Sequence, residues 1–258
     1  EQSVTRLLTV LGDAGAGKSR LLSEFVGELP PQTRILHGRC LPYGDGITFW
    51  PLRGMLGEAA DIREDDTPEA ARAKLLASLG DAEVADRLAS AVGLSTSSFP
   101  LHELNWAARK FLECFAARSP VVALIDDIHW AESAFLDLLE HVLEASTAAP
   151  ILLLATARHD LLDERPQWGE RPGATRLVLR PLSDEAAAQV VENLLGSAGL
   201  PGDVVARIVA AAEGNPLFVE QMLSMLIDGG VLRLADGGWV RGDGDSEIVI
   251  AGGQESMS

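Results

Sequence analysis

The sequence predicts an α/β fold: a doubly wound, mostly parallel sheet with helices on both faces, followed by a small helical domain. Three observations carry that prediction. Short continuous apolar runs, residues 121–125 and 151–155 among them, have the character of strands buried on both faces. They alternate with longer segments whose apolar residues recur at helical spacing, the pattern of a parallel sheet with crossover helices. From Ser183 onward the strands stop and helix-spaced segments follow one another, which marks a second domain.

Residues 6–11, β-branched and apolar, predict the first strand, and Leu21, Leu22 and Phe25 set a helix over 19–26. Residues 34–38 read as a second strand, followed by a loop rich in turn formers over 42–46. A helix over 50–60 carries Pro51 in its first turn, where the missing N–H costs nothing. Good helix formers at helical spacing over 67–79, 82–92 and 101–117 predict a helical insertion, about 67–118, before the third strand at 121–125. A helix over 132–145, a fourth strand at 151–155 and a shorter one at 176–179 complete the sheet.

The second domain then holds helices over 184–195, 202–212 and 217–228, the first started by Ser183. Residues 230–234 and 237–241 read as a β-hairpin around a glycine turn. The predicted division is therefore 1–182, a helical lid at 183–229, and a hairpin with polar tail at 230–258. The start close to the first strand and the Gly242-Asp243-Gly244-Asp245 ending are those expected of a segment from a longer chain.

Composition narrows the function classes. The chain has 258 residues, 47% of them hydrophobic, enough for one α/β core and a smaller satellite. A formal charge of −17 opposes direct nucleic-acid binding, which is driven largely by neutralising phosphates with Lys and Arg. The longest apolar run, 148–157 with Pro150 inside it, is far short of the roughly 20 residues of a membrane span. Cys40 and Cys114 are too few for a disulfide framework and lack metal-ligand spacing, which fits a reducing cytoplasm.

The most informative segment is Gly12-Asp13-Ala14-Gly15-Ala16-Gly17-Lys18-Ser19, set between the first strand and the first helix. A polyphosphate needs several donors converging on a small volume, and side chains would block the backbone's approach, so glycines clear the way. The loop N–H groups form a concave nest, and the helix that follows adds the positive end of its dipole. Lys18 is the cation expected across the β- and γ-phosphates, and the Ser19 hydroxyl is placed to complete the coordination of Mg²⁺. With Arg20 in the same helical turn, these residues predict a nucleoside triphosphate or diphosphate site.

Ligands of an open parallel sheet bind beyond the carboxyl ends of its strands, so polar residues that end buried strands are the next candidates. Asp126 and Asp127 end the third strand; Asp126 is the candidate to hold Mg²⁺ and Asp127 to orient or deprotonate an attacking water. The fourth strand runs into Thr156-Ala157-Arg158, where Arg158 is either a guanidinium within reach of a γ-phosphate or a solvated side chain after a strand. Gly214-Asn215-Pro216 is explained on local grounds by Gly ending one helix, Asn capping the next and Pro opening it. His37, His102, His129, His141 and His159 show no paired ligand spacing, which leaves Mg²⁺ as the metal expected. His129 and Trp130 are expected to pack their loop against the sheet.

Taken together, 12–19, 121–132, 156–158, 179–183 and 213–220 resemble the STAND branch of the AAA-like ATPases, signal-transduction ATPases with numerous domains. The resemblance runs from about Thr5 to Trp239 and is closest to the module of large LuxR-type regulators and multidomain adenylate or guanylate cyclases. Residues 43–52 are similar to the segment after the second strand in that group. The resemblance implies that Asp126 assists Mg²⁺, that Arg158 senses the γ-phosphate, and that Pro216 packs near the base from the helical domain. It also implies a switch in which that domain closes over ADP and opens with ATP, and a winged-helix domain of which 230–258 is the start. The Val-Gly-Arg signature that the group carries before its first strand has no counterpart here, so base specificity stays open.

The expected function is an ATP/ADP-binding regulatory module with slow Mg²⁺-dependent hydrolysis, located in the cytoplasm. Its expected partners are effector and sensor domains of a parent chain, and the resemblance allows a nucleotide-dependent homo-oligomer. Two alternatives stand beside it: a scaffold that binds nucleotide without hydrolysing it, and a P-loop phosphotransferase, for which an arginine-rich lid would be expected.

Overall fold

The strand with the most continuous apolar run anchors the sheet. In the computed structural model, which describes residues 4–42, 48–63, 65–146, 148–196, 200–235 and 238–241, the first five residues of β3 (Val121–Asp126) are all buried. β3 pairs in parallel with β2 (Arg34–Arg39) on one side and β4 (Ile151–Ala157) on the other. β4 also pairs in parallel with β1 (Arg6–Leu11), and β1 with β5 (Ala174–Val178), giving the order β2-β3-β4-β1-β5. Every pairing in this sheet is parallel, so all five carboxyl ends share one edge.

The chain divides into two compact units: Glu1–Gly12 with Ser19–Val178, and Asp13–Lys18 with Leu179–Ser258. In the first unit, α1 (Lys18–Gly27), α2 (Trp50–Ala60), α5 (Leu101–Ala116) and α6 (Ser133–Ala145) connect or flank the strands of a doubly wound sheet. Leu7, Leu11, Ile125, Leu153, Phe111 and Phe135 meet in one apolar core. Among the polar side chains buried in this unit, Thr9 and Thr5 each have a partner. The Thr9 hydroxyl accepts from Trp168 Nε1 at 2.9 Å, and the Thr5 hydroxyl lies between the Ser146 and Ala149 carbonyls, to which its single proton is donated. Trp168 thus reaches from the segment between β4 and β5 onto the strand that leads into the glycine-rich loop.

The predicted insertion forms α3 (Pro68–Leu79), α4 (Ala82–Ala91) and α5, punctuated by local signals. Thr67 accepts from the Ala70 N–H with Pro68 opening the helix; Gly80 ends it at φ +72°, and Asp81 then accepts from the Glu83 and Val84 N–H groups. Two short elements were not foreseen: one 3₁₀ turn at Ile128–Trp130, and α7 (Leu161–Glu164). Neither is long enough to show a periodicity. The last strand of the sheet begins two residues earlier than its apolar residues suggest, because parallel pairing with β1 brings Ala174 beside Leu7.

The second unit is mainly α8 (Asp184–Leu195), α9 (Gly202–Ala212) and α10 (Pro216–Asp228). Ala187, Val191, Ile208, Val219 and Leu223 form its core, joined by Leu232 of β6 (Leu232–Ala235). β6 pairs antiparallel with β7 (Gly238–Arg241), the predicted hairpin; its connecting residues and the polar tail from 242 lie outside the described residues, as do 43–47. The Ser183 hydroxyl accepts from the Ala186 N–H at 3.2 Å, as a helix start requires.

Gly214 is the tightest joint of this unit. It has φ +74°, and a Cβ there would lie 2.4 Å from the Leu182 carbonyl oxygen, while the Leu182 N–H donates to the Gly214 carbonyl at 2.8 Å. Backbone against backbone cannot yield cheaply. Gly214→Ala is therefore expected to destabilise the helical unit by about 2 kcal/mol or more, read from the urea midpoint of α-helical ellipticity.

Candidate functional site

β4 lies between β3 and β1, and its register fixes what sits at the carboxyl edge of the first unit. Ala155 pairs with Ile125 on one side; on the other, Thr156 pairs with Val10 and Ala157 with Leu11. The Gly12 N–H then donates to the Ala157 carbonyl at 3.2 Å, so the chain leaves β1 still bound to β4. Asp126 and Asp127, Thr156 to Arg158, and Gly12 consequently share one edge.

The acidic pair is held by neighbours rather than projecting freely. Thr156 is 1% exposed; its hydroxyl accepts from the Asp127 N–H at 2.9 Å and bonds the Asp126 Oδ1 at 3.1 Å. Asp127 adopts the left-handed conformation, φ +60° and ψ +42°, uncommon for a residue with a side chain. Its carbonyl accepts from the Trp130 N–H at 2.9 Å, closing the 3₁₀ turn. Arg39, at the end of β2, pairs with Asp127 Oδ2 at 3.4 Å. The Cys40 N–H donates to the Asp126 carbonyl at 2.9 Å.

Among the other predicted residues of the first unit, Ser19 and Arg20 are exposed in the first turn of α1, and Arg20 pairs with Glu24 at 2.7 Å. Arg158 is exposed directly after β4. His129 lies against Trp130 with ring centroids 5.0 Å apart, but Trp130 is 44% exposed, so the packing expected of it falls instead to fully buried Ile128. Apolar Ile128 gains more from burial than an indole whose N–H would also need a partner.

The second unit gathers the loop residues Asp13 to Lys18 with Pro216. Gly15 and Gly17 have φ of +80° and +91°, the backbone freedom the sequence pattern called for. Within this unit Asn215 Nδ2 donates to the Ala14 carbonyl at 2.9 Å, and Asn215 Oδ1 accepts from the Leu217 N–H at 3.1 Å. A Cβ on Gly15 would lie 2.6 Å from Asn215 Oδ1, and one on Gly17 would lie 4.0 Å from Pro216 Cγ. Asn215 therefore caps α10 and also holds the glycine-rich loop, a double use that local sequence rules do not distinguish from simple capping. Lys18 Nζ donates to the Asp13 carbonyl at 2.8 Å.

The donor set suits Mg²⁺ held largely by a ligand's phosphates. Among the described residues no group of three or more His, Cys, Asp or Glu could hold a metal. Magnesium commonly takes one or two protein oxygens and completes its shell with phosphate and water, a demand that Ser19 and the oriented Asp126 carboxylate fit. Sequence reasoning missed Arg39 and Thr156 as organisers of the acidic edge in the first unit, and Asn215 as a partner of the glycine-rich loop within the second. Only strand order and register could have revealed the first two.

The AAA ATPase domain family matches residues 1–154, and a family described as a domain of unknown function (DUF8739) matches residues 183–238. An uncharacterized protein of Rhizobium meliloti (strain 1021) is 31% identical over 251 residues, covering 89% of this chain; the chain spans 24% of that relative's length. The ADP-bound FIGL-1 AAA domain is similar at 15% identity and TM-score 0.43, over 88% of this chain and 61% of its own. A Thermotoga maritima RuvB mutant gives 12% identity and TM-score 0.45, over 86% and 55%. Among the described residues, no helix is long and apolar enough to cross a membrane.

Cys40 supplies a test of the acidic edge. Burial first, then the nearby Asp127 and Asp126 carboxylates, push its thiol up to about 12 from 9.0. The folded chain thus keeps a proton that the unfolded chain releases, so the stabilising contribution is complete below pH 9 and is lost as pH rises from 9 toward 12. At pH 8, alkylation of native Cys40 by iodoacetamide is expected to be at least ~100-fold slower than in urea, measured by peptide mass spectrometry.

Proposed function

The chain belongs to the AAA ATPase domain family, a nucleotide-binding P-loop family, and we propose that it is an ATP/ADP-binding switch with slow Mg²⁺-dependent hydrolysis. The observation that carries this reading is the parallel register that sets Gly12, Asp126, Asp127 and Arg158 at one edge of a sheet. That edge is where an open α/β sheet takes its ligand.

In this reading the loop N–H groups of Gly12 to Ser19 bind the phosphates, with Arg20 in the helical turn that follows. Lys18 neutralises charge at the β- and γ-positions, and Ser19 with Asp126 would hold Mg²⁺. The ion supplies charge neutralisation on the phosphates when bound. Asp127 orients or deprotonates the attacking water, Arg158 answers to the γ-phosphate, and Pro216 packs near the base. A switch further requires that ATP and ADP bind two conformations with different affinity, since equal affinity shifts no equilibrium.

In this reading the module works inside a larger cytoplasmic signalling or transcription-regulating protein of the STAND type, with the output in neighbouring domains; the relative of which the chain spans 24% supports the larger protein alone. Saturating ATP or ADP at 100 times its Kd is expected to stabilise the protein by about 2.7 kcal/mol, and Lys18→Ala to abolish that gain in thermal melts. An equal gain in the variant would overturn the phosphate-loop assignment. Asp127→Asn is expected to keep ATP affinity by calorimetry while lowering steady-state phosphate release ~100-fold or more. Retained turnover would remove Asp127 from its role, whereas binding without turnover in the unmodified protein would mark a nucleotide scaffold.

A further inference from the structure

We propose that Thr156 is the positioning residue of the acidic edge: one buried hydroxyl sets both the Asp126 carboxylate and the Asp127 backbone. The proposal rests on the nucleotide reading above and deepens it.

A hydroxyl has one proton to give and two lone pairs to receive with. The Asp127 N–H can only donate, so at 2.9 Å it occupies a lone pair of Thr156 Oγ1. The hydroxyl proton is then directed at Asp126 Oδ1, 3.1 Å away. One atom thereby assigns Asp126 a fixed carboxylate orientation, with Oδ1 engaged. The other partner is the residue that needs support most, since Asp127 is the non-glycine residue at φ +60° in this turn. Its peptide is pinned on both sides, by Thr156 at the N–H and by the Trp130 N–H at the carbonyl.

Burial makes the arrangement stringent. Thr156 is 1% exposed on a strand flanked by β3 and β1, so solvent does not readily take its place. Valine has nearly the same shape but no hydroxyl, and it leaves one donor and one carboxylate oxygen unmatched. Serine keeps the hydroxyl.

The experiment compares the unmodified chain, Thr156→Val and Thr156→Ser in ATP affinity with and without Mg²⁺, and in hydrogen exchange of the Asp127 amide. In Thr156→Val, ATP affinity without Mg²⁺ is expected to stay within about 2-fold, while the enhancement by Mg²⁺ falls ~10- to 100-fold, the usual effect of removing a group that orients a metal ligand. The Asp127 amide is expected to exchange at least ~10-fold faster, and Thr156→Ser to restore both readouts. A purely packing role would lower the melting temperature and weaken ATP binding equally with and without Mg²⁺, and that result overturns the proposal. Should the valine variant fail to fold, the unmodified protein and the serine variant decide: an Asp127 amide exchanging like an exposed one in either overturns it. No ATP binding by the unmodified chain overturns the nucleotide reading itself, whereas intact Mg²⁺ enhancement in folded Thr156→Val removes only the role of Thr156.

Discussion

Parallel pairing of β4 between β3 and β1 is the constraint on which the functional edge depends. Parallel strands present their carboxyl ends together, and because β3 and β4 are buried on both faces a slip by one residue would exchange the side chains packed on each face of the sheet. With Ala155 beside Ile125 and Ala157 beside Leu11, the residues that follow each strand must emerge as neighbours. The acidic pair, Arg158 and Gly12 owe their common edge to this pairing.

The same pairing explains why polar groups can be afforded so deep. Thr5, Thr9 and Thr156 are all buried, and each has a hydrogen-bond partner: the Ser146 and Ala149 carbonyls, the Trp168 indole, and the Asp126–Asp127 turn. A hydroxyl left unmatched at such depth costs about 1–3 kcal/mol. Each threonine therefore ties a loop to a strand: Trp168 to β1, the α6–β4 connection to the start of β1, and the acidic turn to β4. In the second unit the joints are glycine and asparagine. Gly214 meets Leu182 backbone to backbone, and Asn215 spans α10 and the glycine-rich loop.

Much of this was legible in the residues. Apolar runs of five located the central strands because strands buried on both faces need no alternation, and helical spacing located the longer helices among the described residues. Turn chemistry gave the helix starts at Ser183 and Asn215, because capping is a local hydrogen bond within a few residues. The 3₁₀ turn and α7 escaped because one turn of helix carries no period. Trp130 misled in the other direction, since an aromatic side chain beside an acidic pair reads as packing until its exposure is known.

The sequence by itself determined the glycine-rich loop, the acidic strand end and their helices and strands, because these rest on residue types a few positions apart. Only the tertiary structure decided that Arg39 pairs with Asp127, 88 positions away in sequence, and that Thr156 bonds both aspartates from 29 and 30 positions away. It also decided that Asn215 reaches Ala14 across 201 positions. The Arg39 and Thr156 contacts depend on which strand lies beside which, and strand order is set by how the whole apolar core closes, a property no short window of residues contains.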